Sequence, residues 1–175
     1  MRAVSDLKKI MELAAEAEDG AEARAGAALQ AKGLTIACAE SCTGGLLTAR
    51  LTAVPGSSAY VMGSVVSYTN EVKISHLGVS PQTLQAVGAV SEETAREMAE
   101  GIRSHIHTDI GVGITGLAGP GGASPEKPLG LVYIAVSGTK GTEAVRKVFS
   151  GSRQQVRWQA AEKALLMVME YIKSF

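Results

Sequence analysis

Short apolar runs alternate with helix-forming stretches along this chain of 175 residues, and that alternation restricts it to a layered α/β architecture. The runs are 34–39 (LTIACA), 59–68 (AYVMGSVVSY), 109–115 (DIGVGIT) and 129–137 (LGLVYIAVS). A further stretch, 142–150 (TEAVRKVFS), alternates as a half-buried strand after a turn from Gly138 to Gly141, which requires an antiparallel pair. Between the runs, helices are expected over 5–31 with an interruption at Asp19-Gly20, and from Gly44-Gly45 through Val54. Others follow Asn70, Ser80-Pro81, Ser91 and Ser152, each a residue suited to cap a helix. The expected fold is a three-layer α/β/α sandwich with a mixed, mostly parallel sheet. Residues 1–25 are expected to form a helical extension and 26–175 a single domain.

Composition narrows the function classes. Seventeen basic side chains balance seventeen acidic ones, which removes the usual electrostatic case for nucleic-acid binding. Aromatics make up 4% of the chain, too few for a base-stacking platform. No apolar run approaches the length of a membrane span, and MRAVSDLKKI lacks the charged–apolar–small order of a secretory signal, so a cytoplasmic location is expected. Cys38 and Cys42 read as reduced thiols; their C-x3-C spacing fits neither a redox pair nor half of a zinc site.

The informative residues are the 20 glycines, because they cluster after strands. Ala39-Glu40-Ser41-Cys42-Thr43-Gly44-Gly45 joins a buried strand to a helix, at the strand edge where open α/β folds bind ligands. Free N–H groups at such a helix start favour an anion or a developing oxyanion. Taken singly, Ser41 or Thr43 is as well explained as a helix cap. Thr115-Gly116 opens a thirteen-residue loop, 116–128, with four glycines and three prolines, whose N–H groups can form an anion nest. Lys127 could return a positive charge to it. In Tyr68-Thr69-Asn70-Glu71-Val72-Lys73, Lys73 falls about one turn into a helix. A desolvated lysine can take the proton of a serine nucleophile, and Tyr68 could relay it or donate a hydrogen bond. An exposed Lys73 is the plain alternative.

Other motifs fail on context. Gly111-Val-Gly113-Ile-Thr-Gly116 matches G-x-G-x-x-G, yet its glycines fall inside a strand and no acid follows about twenty positions on, so no dinucleotide site is expected. His76, His105 and His107 make a weak metal case, since His105 and His107 do not share a helix face. Arg153 and Arg157 lie one turn apart at the start of the last helix, either as a cationic pair or as an exposed face.

Read together and in order, A-E-S-C-T-G-G, P-G-S-S, Y-T-N-E-V-K, G-A-V-S-E-E, T-G-L-A-G-P-G-G and E-K-P-L-G resemble the C-terminal domain of the competence/damage-inducible CinA proteins, including their stand-alone nicotinamide-nucleotide amidases. The resemblance covers about residues 28–170 and is to the single-domain form. It implies a mixed-sheet α/β/α sandwich that hydrolyses the carboxamide of nicotinamide mononucleotide to nicotinate mononucleotide and ammonia, in pyridine-nucleotide recycling. It places the nucleophile on Ser41 and the general base on Lys73, with Tyr68 assisting. Glu40, Thr43, Gly44, Gly45, Asn70, Thr115, Gly116, Gly119, Gly121, Gly122, Lys127 and Arg153 would bind the substrate. No cofactor or metal is implied, and the expected partners are a small nucleotide and a second copy of the chain. Val87 stands where the family often has histidine, and Ser152 where it has aspartate before Arg153. The competing expectation is a non-catalytic nucleotide- or phosphate-binding domain with a competence- or damage-related role.

Overall fold

The computed structural model describes residues 20–175; the part of the expected N-terminal helix before Gly20 lies outside the described residues. From there the order is α1 (Ala21–Ala31), β1 (Ile36–Glu40), α2 (Leu46–Thr52), a 3₁₀ turn (Ser57–Ala59), β2 (Val61–Val66), α3 (Asn70–Leu77) and α4 (Pro81–Ala86). The chain continues through α5 (Glu92–Ile106), β3 (Ile110–Gly116), β4 (Leu131–Gly138), β5 (Gly141–Val148) and α6 (Arg153–Ile172). The five strands lie in the order β2-β1-β3-β4-β5. β1 is parallel to both β2 and β3, while β4 is antiparallel to β3 and β5. Four strands therefore point one way, although the pairings divide evenly between parallel and antiparallel.

The period of two along β1 assigns its side chains to two different layers. Ile36 and Cys38 join Val112, Ile114 and Ile134 against α1, α2 and α6, where Leu29, Leu47, Leu51, Leu165 and Val168 fill the larger core. Ala37 and Ala39 face the other way, toward Leu77, Met98 and Ile102. The apolar residues at helical spacing on α5 (Ala95, Met98, Ala99, Ile102) and on α6 (Val156, Ala160, Ala164, Leu165, Val168, Ile172) are buried, and Ile106 is half-buried.

The α5 side of the sheet is thin by composition. A Cβ on Gly111 would fall 2.1 Å from the Ala99 carbonyl oxygen, and one on Gly113 2.3 Å from that of Ala95. The in-strand glycines therefore let the α5 backbone lie directly on β3, which is their role in place of a dinucleotide turn.

Helix termini follow the sequence with one change. Ser80, Ser91 and Ser152 cap their helices as expected, and Ser152 shares a full capping box with Gln155. The α3 cap is Thr69 and not Asn70: Thr69 has extended φ and ψ and accepts from Val72 N, whereas Asn70 is already helical. His107 ends α5 in the left-handed conformation. Arg50 ties three helices together, donating to Glu22 at 2.6 Å and Glu162 at 2.5 Å while its guanidinium lies over the Trp158 ring.

Gly113→Ala is expected to destabilise the domain by about 1–3 kcal/mol, because backbone atoms of α5 must move to admit one methyl group. A lowered urea midpoint at unchanged m-value is the readout.

Candidate active site

Three parallel strands end at one edge of the sheet, and the ladder continues just past them. Ser41 N donates to Ile114 O at 3.0 Å, and Ser67 N donates to Glu40 O at 2.8 Å. The register that sets Glu40 level with Val66 and Ile114 carries Ser41, Ser67 and Thr115 into one row at that edge.

Ser41 begins a tight connection to α2. Gly44 and Gly45 adopt φ of 61° and 94°, two consecutive left-handed residues that side chains with a Cβ rarely tolerate. Behind the loop, the fully buried Glu40 carboxylate accepts from the amides of Gly45, Leu47 and Thr48 and from the Thr48 hydroxyl, at 2.7–3.0 Å. This corrects the expectation that the α2 start serves a developing oxyanion, since its first-turn amides already hold an internal anion. Among the described residues, the amides of Cys42 and Thr43 have no backbone or side-chain oxygen acceptor.

Lys73 is brought to the same place by α3. Its side chain is 1% exposed, and its Nζ donates to Ser67 O at 2.5 Å and to Ser41 Oγ at 3.2 Å. No carboxylate pairs with it among the described residues. Burial holds its pKa below the ordinary 10.5, because an uncompensated ammonium is disfavoured out of water. The neighbouring thiol is moved the other way. Burial pushes the Cys42 pKa up to about 12, so that sulfur stays protonated at neutral pH.

Ser41 and Lys73 open on a cavity of about 260 Å³ that Tyr68, Thr115, Gly116, Gly119, Gly121 and Arg153 also line. Of the substrate-binding candidates, Thr115, Gly116, Gly119, Gly121 and Arg153 are the ones the fold gathers there. Thr115 donates to Ala89 O at 2.6 Å and so holds the 87–90 segment as a wall. At the mouth, Arg153 donates to Gly119 O at 2.8 Å and to the exposed Tyr68 hydroxyl at 2.9 Å. Tyr68 Oη has no hydrogen bond to Ser41 or Lys73, so its place is at the entrance.

The remaining candidates lie off the cavity lining. Glu40, Thr43, Gly44 and Gly45 shape the loop beneath Ser41. Asn70 is exposed on α3, and Gly122 does not reach the lining. Lys127 Nζ instead donates to Val87 O at 2.8 Å, tying the long loop to the 87–90 segment. Cys42, Ala89, Val90, Leu117 and Ala118 line the cavity without having been singled out for it. The alanines, leucine and valine carry no chemistry that a sequence could advertise, and the Ser67 carbonyl that grips Lys73 belongs to the backbone. Among the described residues, no group of three His, Cys, Asp or Glu could hold a metal ion, and no helix is long and apolar enough to cross a membrane.

The comparisons with known proteins agree with one another. Residues 18–172 match the family of CinA C-terminal domains. A CinA-like protein of Gemmatimonas aurantiaca is 54% identical over 132 residues, covering 75% of this chain and 31% of that protein. Another, from Acidobacterium capsulatum, is 48% identical over 140 residues, 80% of this chain and 34% of that protein. The chain thus spans about a third of the length of the curated relatives it matches. Among solved structures, the competence/damage inducible protein CihA of Agrobacterium tumefaciens superposes with a TM-score of 0.85 at 38% identity, covering 89% of this chain and 94% of that one. A CinA superfamily protein from Enterobacter cloacae gives 0.83 at 34%, covering 87% and 90%. With sequence and fold in accord along nearly all of the described residues, the chain belongs to the CinA C-terminal domain family.

Proposed function

We propose that this domain is an amidohydrolase that converts nicotinamide mononucleotide to nicotinate mononucleotide and ammonia, with Ser41 as nucleophile and Lys73 as base. The observation that carries the reading is the 3.2 Å contact between Ser41 Oγ and a buried amine that no carboxylate pairs with among the described residues. A binding module has no use for such a pair, whereas acyl transfer requires a hydroxyl and a base able to exchange its proton. The choice of substrate comes from the family resemblance.

The neutral Lys73 amine takes the Ser41 proton as Oγ bonds to the carboxamide carbon, and the carbonyl electrons move onto oxygen. The amides of Cys42 and Thr43, which have no oxygen acceptor among the described residues, are the backbone donors available for that oxyanion. Collapse breaks the C–N bond, and the Lys73 ammonium returns its proton to the departing nitrogen, which leaves as ammonia. Lys73 then deprotonates a water that attacks the ester, and Ser41 recovers its hydrogen as the carboxylic acid departs. Arg153, beside the Gly119–Gly121 loop, provides a cation for the substrate phosphate. A second cavity of about 280 Å³ shares Ala118, Gly119 and Arg153 with the first and extends the room beyond the reacting amide.

Incubation with nicotinamide mononucleotide is expected to release ammonia and nicotinate mononucleotide, and Ser41→Ala is expected to abolish both. Lys73→Arg should cost about 10²–10⁴-fold in kcat, because a guanidinium keeps its proton. Calorimetric binding of the nucleotide by a wild-type protein with no turnover would instead support the binding-domain alternative.

The buried amine also sets two pH dependences. kcat/KM is expected to rise with pH as Lys73 loses its proton, with a midpoint below 10.5. The unfolded chain holds that proton up to about pH 10.5 while the folded one has released it, so stability also rises with pH through the window between the two values. Lys73→Met should therefore eliminate activity, raise the urea midpoint at neutral pH and flatten its rise toward alkaline pH.

A further inference from the structure

Arg153 and Arg157 start α6 one turn apart, yet they serve different places. Arg153 reaches the cavity mouth. Arg157 does not line that cavity: its Nε and Nη2 both donate to Thr43 O, at 3.2 and 2.7 Å, and its Nη1 donates to Gln154 Oε1 at 2.9 Å. Among the described residues no carboxylate pairs with Arg157, so its hydrogen bonds within the protein go to these two oxygens.

That carbonyl belongs to the peptide between Thr43 and Gly44, two residues past the proposed nucleophile. The N–H of the same peptide donates to Ser41 O at 3.0 Å, so the plane is held from both sides. Such a grip offsets the freedom of the adjoining glycines. Gly44 and Gly45 lack the Cβ atoms that would restrict rotation, and side-chain sterics alone cannot hold the loop in one conformation. Glu40 fixes the far end of the loop at Gly45, Leu47 and Thr48. Arg157 is the only side chain among the described residues that hydrogen-bonds the loop backbone between Ser41 and Gly44.

We infer that Arg157 is a positioning residue for the Ser41 reaction, its guanidinium fixing the Thr43–Gly44 peptide so that Ser41 Oγ stays in reach of Lys73 and the Cys42 and Thr43 amides keep one orientation. The inference rests on the amidase reading for its substrate, though not for the loop geometry. Arginine suits the task for two reasons. Its planar fork can place two donors on one oxygen, and it stays charged at the alkaline pH at which Lys73 is a free amine.

The test compares Arg157→Ala, Arg157→Lys and Arg153→Ala in the full chain. Arg157→Ala is expected to lower kcat for nicotinamide mononucleotide by about 10–100-fold with KM within about twofold, at an unchanged thermal midpoint. Arg153→Ala should act mainly on KM. A groove of about 720 Å³ lined by Leu46, Gln154, Arg157 and Trp158 opens on the emptied position. Millimolar guanidinium chloride should therefore restore part of the Arg157→Ala rate, and Arg157→Lys should recover less. Labelling of Ser41 by a fluorophosphonate, which needs no nucleotide, should slow in Arg157→Ala and recover with guanidinium. Unchanged kcat, a loss in KM alone, or a loss that tracks thermal stability without guanidinium rescue overturns the inference. If the wild type labels but releases no ammonia, the amidase reading fails while the labelling rates still decide the role of Arg157. A wild type that neither turns over nor labels overturns both.

Discussion

An amine held out of water without a counter-charge is the constraint around which the site is arranged. Among the described residues Lys73 hydrogen-bonds only a backbone carbonyl and a serine hydroxyl, two neutral acceptors, and neither stabilises an ammonium as a carboxylate would. The neutral form is favoured in consequence, and a neutral amine beside a hydroxyl is a base in waiting. A carboxylate at this position would raise the lysine's pKa and remove its use as a base. Glu40, the buried acid that precedes Ser41, is already satisfied by three amides and a hydroxyl.

Glu40 illustrates how a single substitution of roles reshapes a strand-to-helix turn. A helix start next to the proposed nucleophile is an obvious oxyanion site, and in this chain it is filled from within. The carboxylate takes the positive end of α2 and in return fixes the helix to the strand that precedes it. On the amidase reading, stabilisation of charge on the substrate then falls to the loop, where the amides of Cys42 and Thr43 have no oxygen to bind among the described residues. Loop amides serve that purpose only if the loop has one conformation, which is why the contacts of Glu40 and Arg157 on either side of the two left-handed glycines bear on chemistry as well as on folding.

The strands, the caps at Ser80, Ser91 and Ser152, and the two-residue β4–β5 turn were legible in the sequence because each is encoded locally, by period, cap chemistry or paired glycines. The pairing of Ser41 with Lys73 was legible only as a pattern of motifs, since 32 residues separate them and nothing local decides whether Lys73 is buried. Lys127 and Asn70 show the limit from the other side. Both lie in segments that contribute to the site, yet one binds a loop carbonyl and the other faces solvent, because direction is set by tertiary packing and not by proximity in sequence. Arg157 was legible as half of a cationic pair, while its acceptor, a main-chain oxygen 114 residues away, has no side chain to mark it.

The position of the proposed base is finally a matter of backbone spacing. Lys73 is carried by α3, which ends at Leu77, and the Leu77 carbonyl lies where a Cβ on Gly101 of α5 would be, 1.8 Å away. α5 in turn rests on β3 through Gly111 and Gly113, whose missing side chains set the height of the helix above the sheet. A run of close approaches therefore leads from the strand that ends beside Ser41, through α5, to the helix that presents the amine. Each step is made by the absence of an atom, so it leaves little slack for the helix to drift. A separation of 3.2 Å between groups on two different elements is maintained by such spacing more readily than by the hydrogen bond itself, which a sub-ångström shift would break. The small residues on this face of the sheet, unremarkable as core, are what bring the proposed base and nucleophile together.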